Sequence, residues 1–258
     1  MIYPKIISKK KLESFFFKIG LKELVKLSKL KIKSDLRTLK IPLPPILLDL
    51  YMLYMFITLN KRVKILEFGC GWSSLIMHLA LKNNEKKYKS KVFKRCKNPF
   101  EIFIVNVQKK YVDIAKRNIQ KFSKNNNGIN WKITDVQMTN YNGRFANEYK
   151  SLPLVNPDFI YLDAPSQFEV KNSINNFTIK HHDMMPMSCD ILKFEHFLTP
   201  GTIIVVDGRT ANARFLKANF QRNWVYKRNT ETDQNIFYLN EPVLGIHNQE
   251  QINFYKKK

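Results

Sequence analysis

Apolar positions along the chain change their period twice. Over residues 9–33 they recur at helical spacing. Leu12, Phe16, Ile19, Leu27 and Leu30 share one face, while Lys22, Lys26, Lys29 and Lys33 share another. This predicts a basic amphipathic helix, ended by the break at Pro42, Pro44 and Pro45. Its two readings are an apolar side packed on the rest of the chain and a basic face docked on an anionic membrane or nucleic acid. Residues 43–59 are almost wholly apolar but short for a membrane span, and they carry Pro44, Pro45 and Asp49. They read as a buried helix leading into the first strand.

From Val63 the period alternates between strand and helix. Short apolar runs at 63–68, 100–107, 130–136, 158–162 and 202–206 predict buried strands. Helical runs fall at 72–81, 112–122, 189–198 and 211–220. Residues 82–99 are polar and basic and read as a surface loop, and 164–188 show little periodicity. The last two runs, 224–227 and 236–239, have no room for a helix between them, so they predict an antiparallel hairpin. Strands alternating with helices imply an α/β fold, a doubly wound and mostly parallel sheet with an antiparallel last strand, preceded by N-terminal helices. The expected organisation is an N-terminal helical extension at 1–60, a main domain at 61–240 and a C-terminal tail at 241–258.

Composition changes this picture little. A chain of 258 residues with 44% hydrophobic and 13% aromatic content can bury a full core. The formal charge of +23 admits a polyanionic partner, but the Lys residues are spread along the whole chain rather than gathered in one arm. Cys70, Cys96 and Cys189 are far apart and form no CxxC pair, which argues against a structural zinc site or a disulfide framework and suits a reducing cytoplasm. The N-terminus lacks a small-residue cleavage site after an apolar core.

Ligands in such sheets bind at the carboxyl ends of the strands. Gly69, Asn106, Asp135, Asp163 and Asp207 all stand there. The run Glu67-Phe68-Gly69-Cys70-Gly71-Trp72-Ser73-Ser74 delivers a carboxylate to a strand end, then two glycines that let the backbone turn and approach a ligand. Ser73 or Ser74 can cap the next helix. Ser74 stands where a dinucleotide fingerprint has its third glycine, and a cationic sulfonium with an amino-acid tail is better served by Glu67 than a pyrophosphate would be.

With these residues the chain resembles the class I S-adenosylmethionine-dependent methyltransferases. Glu67 to Gly71 matches the family's first motif, and Pro157 to Pro165 and Leu198 to Asp207 resemble its fourth and fifth strands. The resemblance runs from about Pro44 to Leu239 and implies a Rossmann-like fold with S-adenosylmethionine as cofactor. It implies cofactor contacts at Glu67, Phe68, Gly69, Cys70, Gly71, Ser73 and Ser74. Asn106 and Val107 stand where the family's acidic residue binds the ribose hydroxyls; Asn can bond a hydroxyl without the charge assistance of a carboxylate. Asp135 and Val136 resemble the pair that holds the adenine, or else form a capped turn.

Asp163 and Asp207 carry two readings. They would bind a divalent cation, as in catechol-type O-methyltransferases, where Gly208 departs from the family's Asn. Alternatively, Asp163 lies by the methionine end of the cofactor and acts as an acid–base residue. His182, in His181-His182-Asp183, is a candidate general base or an ordinary loop residue. Met184, Met185 and Met187 would line a pocket or fill core, and Arg209 and Arg214 would grip an anionic group or pair with local acids. The nearest run to the Asp-Pro-Pro-Tyr type of nucleic-acid N-methyltransferases, Asp163-Ala164-Pro165-Ser166, lacks the second proline and the aromatic. The expected activity is O-methylation of a small-molecule or sugar-type acceptor. The alternatives are an RNA methyltransferase and a non-catalytic S-adenosylmethionine-binding protein. The expected location is cytoplasmic, with peripheral membrane contact through residues 9–33 as a further option.

Overall fold

The structure is a computed structural model that describes residues 1–30, 43–92, 98–123 and 125–256; Lys33, Pro42 and Cys96 lie outside these. Three helices come first: α1 (Lys9–Lys18), α2 (Lys22–Leu27) and α3 (Leu47–Leu59). The amphipathic run is therefore two helices and not one. Gly20 adopts φ +82°, and the Leu21 N–H turns back to the Phe16 carbonyl at 2.8 Å, so the chain changes direction there. The bend rotates the apolar face. Leu12, Phe16, Leu21, Leu24 and Val25 are buried, whereas Leu30 is 61% exposed. The buried side packs on α3, with Phe15 edge-on to Tyr51 and Tyr54.

The main sheet contains β1 (Lys64–Phe68), β2 (Glu101–Asn106), β3 (Ile129–Ile133), β6 (Phe159–Leu162), β8 (Ile203–Asp207), β9 (Trp224–Asn229) and β10 (Gln234–Leu239). Its order is β3-β2-β1-β6-β8-β10-β9. Neighbours from β3 to β8 are parallel, and β10 runs antiparallel to both β8 and β9, so the closing hairpin forms as expected. Successive side chains point to opposite faces. Ile65, Ile104, Phe159, Tyr161, Val205 and Ile236 join one core with α1, α2, α3 and α4 (Trp72–Val92). Leu66, Phe68, Val105, Ile160, Leu162, Val206 and Phe237 join a second core on the other face, with α6 (Asp190–Phe194) and α7 (Thr210–Asn219). Helix α5 (Lys109–Phe122) flanks β2.

Two further sequence expectations change. Residues 82–92 continue α4 instead of forming a loop. The polar run is the solvent side of a helix anchored by Leu81, Asn84 and Val92, all fully buried. Asn84 donates to the carbonyls of Ile57 and Arg62. The third strand stops at Ile133, and Val136 opens a small sheet of β4 (Val136–Tyr141), β5 (Arg144–Tyr149) and β7 (Val170–Lys171), in the order β5-β4-β7. Asn142 and Gly143, both at positive φ, make its hairpin turn.

Helix α8 (Ile246–Lys256) closes the amino end of the main sheet. Its Ile252, Phe254 and Tyr255 pack with Val63, Val92 and Phe100. The Arg62 guanidinium lies 3.9 Å from the Tyr255 ring centre, and the Tyr255 hydroxyl donates to Asp158 at 2.7 Å. Among the described residues, no helix is long and apolar enough to cross a membrane.

Candidate functional site

Strand register places the site. The Gly69 N–H donates to the Val105 carbonyl and the Asp163 N–H to the Phe68 carbonyl, which extends the parallel ladder one step past the strands. Asn106, Gly69, Asp163 and Asp207 therefore form a row across the carboxyl ends of β2, β1, β6 and β8. By alternation they share the face covered by α3 and α4. The row beneath is Ile104, Glu67, Tyr161 and Val205.

The turn after β1 shapes the row. Gly69 has φ +110°, and a Cβ there would stand 3.2 Å from the Ala164 Cβ and 3.4 Å from the Asp163 carbonyl oxygen. Only glycine fits that approach. Gly71 differs: a Cβ there would meet nothing within 4 Å, so this part of the turn faces open space. The Gly71 N–H donates to the Ser74 hydroxyl at 3.1 Å, and the Ser73 hydroxyl donates to Glu67 Oε1 at 2.5 Å. Glu67 is fully buried, and its Oε2 has no hydrogen-bond partner. Burial pushes its carboxyl up to about 8, against the opposing influence of the Ser73 and Ser74 hydroxyls beside it. Phe68 points away, into the second core, against the Tyr149 ring.

Cys70 lies over the end of β2. Asn106 donates its amide to Cys70 Sγ at 3.0 Å and accepts from the Gln108 N–H at 2.9 Å, which orients the Asn106 side chain from both ends. Burial, then the Glu67 charge, push the Cys70 thiol up, so it stays neutral. Val107 follows, half-buried. Asp135 sits after β3, 2.8 Å from Lys171 and 3.7 Å from Lys150. The Lys171 hydrogen bond holds its carboxyl low. Val136 is buried where β4 begins.

Arg209 ties the two aspartate loops together. It donates to the carbonyls of Pro165 at 2.7 Å and Asp163 at 2.8 Å, and its Nε stands 3.5 Å from Asp163 Oδ1. Asp207 instead accepts from the Tyr161 hydroxyl at 2.6 Å. Burial, then the Asp163 charge, raise the Asp207 carboxyl to about 7. His182 is exposed and lies edge-on to Phe168 at 5.0 Å, above the loop that follows β6. That loop is fixed by reciprocal capping between Ser166 and Glu169, and Glu169 accepts from Gln108 at 2.8 Å. Arg214 is exposed on α7, Met185 is exposed, and Met184 and Met187 are half-buried. Among the described residues, no three His, Cys, Asp or Glu side chains stand close enough to hold a metal ion.

Three residues of this face escaped the sequence patterns. Tyr161 carried a signal: a polar tip in an otherwise apolar strand, two positions before Asp163 and so on its face. Asp49 was visible only as a charge in an apolar helix. Gln234 lay just ahead of the expected last strand, and nothing local marked it.

No family model matches the chain, and no curated protein does. Among solved structures, the chain is similar to the O-methyltransferase from Bacillus cereus in complex with SAH. That match has 14% identity and a TM-score of 0.41, and covers 92% of this chain and 93% of that one. It is also similar to cofactor-bound Rv0187 from MTB, with 10% identity, a TM-score of 0.47, and coverage of 92% of this chain and 100% of that one. Human methyltransferase-like protein 13 in complex with SAH matches with 16% identity and a TM-score of 0.36, over 82% of this chain and 89% of that one. The chain's own strand order, its antiparallel last strand and the glycine turn after β1 give it the Rossmann-like fold of class I S-adenosylmethionine-dependent methyltransferases.

Proposed function

We propose that this chain is an S-adenosylmethionine-dependent methyltransferase acting on a hydroxyl of a small-molecule or sugar-type acceptor. The observation that carries the reading is the turn after β1. It presents a fully buried carboxylate with one unpartnered oxygen, Glu67 Oε2, beside a glycine that faces open space. A buried orphan acceptor costs roughly 1–3 kcal/mol, and a bound donor removes that cost. The fit is to a cation with N–H donors, which is the amino-acid end of this cofactor.

Glu67, Gly69, Cys70, Gly71, Ser73 and Ser74 would hold that end, with Phe68 as the support beneath. Asn106 and Val107 would meet the ribose, and Asp135 and Val136 would border the adenine. The bound cofactor supplies a methyl group on a positively charged sulfur, ready for in-line attack. The chain supplies alignment, worth up to about 7–11 kcal/mol when acceptor and methyl carbon are held in contact. Asp207, which accepts from the Tyr161 hydroxyl at the end of β8, is the group we assign to bond the acceptor, with Asp163 or His182 to take the hydroxyl proton. Asp163 and His182 would flank it. The free thiols of Cys70 and Cys189 favour a cytoplasmic setting.

Calorimetry with the demethylated cofactor tests this. Wild-type chain should bind it, and Gly71→Val, whose Cβ would meet no atom within 4 Å, should bind at least about tenfold more weakly with an unchanged melting temperature. No binding by the wild-type chain would sink the enzyme hypothesis.

A further inference from the structure

We infer that the crevice between Asp49 on α3 and the Asp207, Tyr161 and Gln234 side chains of the sheet binds an ammonium group, so that the acceptor is a small polar amine. This inference rests on the methyltransferase reading for its word acceptor; the site itself is argued from side chains.

Gln234 is directly opposite Asp207 in the antiparallel β8–β10 pair, so the two side chains lie on one face. Alternation along β10 puts Gln234 on the same side as Ile236, which packs in the α3 core. Its side chain is wholly buried, yet neither Oε1 nor Nε2 has a hydrogen-bond partner of good geometry. The amide lies near enough to Asp207 to favour its charged form slightly, but not aligned to bond it. An amide stranded beside a carboxylate points to a polar ligand that supplies the missing bonds.

Asp49 comes to the same place from above. Helix α3 packs along α4, which begins just past the carboxyl end of β1, and the far part of α4 meets the end of α3 where Asn84 donates to the Ile57 and Arg62 carbonyls; the thirteen residues of α3 span about 20 Å. The first turn of α3 therefore stands over the carboxyl ends of the strands. Electrostatics agree with that placement: burial first, then the charges of Asp207, Asp233 and Asp163, raise the Asp49 carboxyl to about 7.

What is missing is a counter-charge. The chain has 44 Lys and Arg residues, yet among the described residues none forms an ion pair with Asp49 or Asp207. Arg209 is turned to Asp163 and Arg228 to Asp233. Two carboxylates held near each other with reduced solvent access repel, and a cation between them relieves both. An ammonium has three donors and no acceptor, which matches Asp49, the free oxygen of Asp207 and Gln234 Oε1. Gln234 Nε2 remains to donate to an oxygen of the same molecule. A neutral polyol would bond these groups but leave their charges uncompensated.

Saturation-transfer NMR with glucosamine and glucose as paired probes, on chain saturated with the demethylated cofactor, tests the inference. Glucosamine should give a response and glucose should not. Asp49→Asn and Gln234→Leu should each cut the glucosamine response by about tenfold or more, while cofactor affinity holds and the melting temperature does not fall. Equal response from both sugars, response from neither, or an undiminished preference in Asp49→Asn would overturn it. Calorimetry on the same samples separates the two readings. If the wild-type chain binds no cofactor, the methyltransferase reading fails, and the amine preference is judged by the same comparison on cofactor-free chain.

Discussion

Glu67 and Asn106 show how single side chains set the character of the crevice. The folded chain keeps a proton on Glu67 up to about pH 8, and on Asp49 and Asp207 up to about pH 7, whereas the unfolded chain releases these protons near ordinary carboxylate values. Over that window the folded state binds more protons, so its stability falls as pH rises. The melting temperature of unliganded chain should therefore decline between about pH 5 and pH 8. Glu67→Gln should flatten the decline, removing at most about 1.4 kcal/mol per pH unit, as thermal unfolding across that range will show. Asn106→Asp should tighten cofactor binding several-fold by calorimetry, since a carboxylate bonds ribose hydroxyls with charge assistance. Glu67, Asn106, Asp163 and Asp207 were legible in the sequence because chemistry in a parallel sheet gathers where strands end, and strand ends can be read locally. Gln234 and Asp49 were not. Their relation to Asp207 exists only through antiparallel register and through the packing of α3 along α4, and neither is written in neighbouring residues.

Elements follow the same division. The parallel strands announce themselves as continuous apolar runs because both faces are covered. The extra turns of α4 did not, because a helix needs few buried contacts to persist, and Asn84 provides one through hydrogen bonds rather than apolar area. The β4–β5 hairpin carried an Asn142-Gly143 signal in a half-exposed pair whose burial pattern is too irregular to stand out. Helices α1 and α2 belong to the core: Phe16 is wholly buried, and Phe16→Ala should cost about 3–5 kcal/mol in chemical denaturation. At the opposite end, Tyr255→Phe removes the hydroxyl that bonds Asp158 but keeps the ring on Arg62. A loss of roughly 1 kcal/mol or somewhat more, without change in cofactor affinity, should follow.

At the scale of the molecule, charge is distributed in two ways. Most of the surface is basic, and Lys9, Lys10, Lys11, Lys18, Lys22 and Lys26 stay exposed on the outer side of α1 and α2. The crevice face is acidic. Polyanions should bind weakly and without sequence preference, and retention on RNA or on anionic liposomes should collapse as salt approaches physiological strength. Persistence of RNA binding at that salt would revive the RNA methyltransferase reading. The basic helices bury Leu12, Phe16, Leu24 and Val25 in the core with α3, while Phe17 and Leu30 stay exposed beside the lysines.

The face that pairs Asp49 with Gln234 has a consequence for how the protein comes into being. One residue precedes the first strand of the sheet and the other begins its last, so most of the described chain lies between them. Contacts of such long sequence separation form late and slowly. A ligand held there would also act as a clasp, stabilising every element in between by mass action. A fragment that stops before the closing hairpin, however well its glycine turn forms, would lack one wall of the crevice altogether.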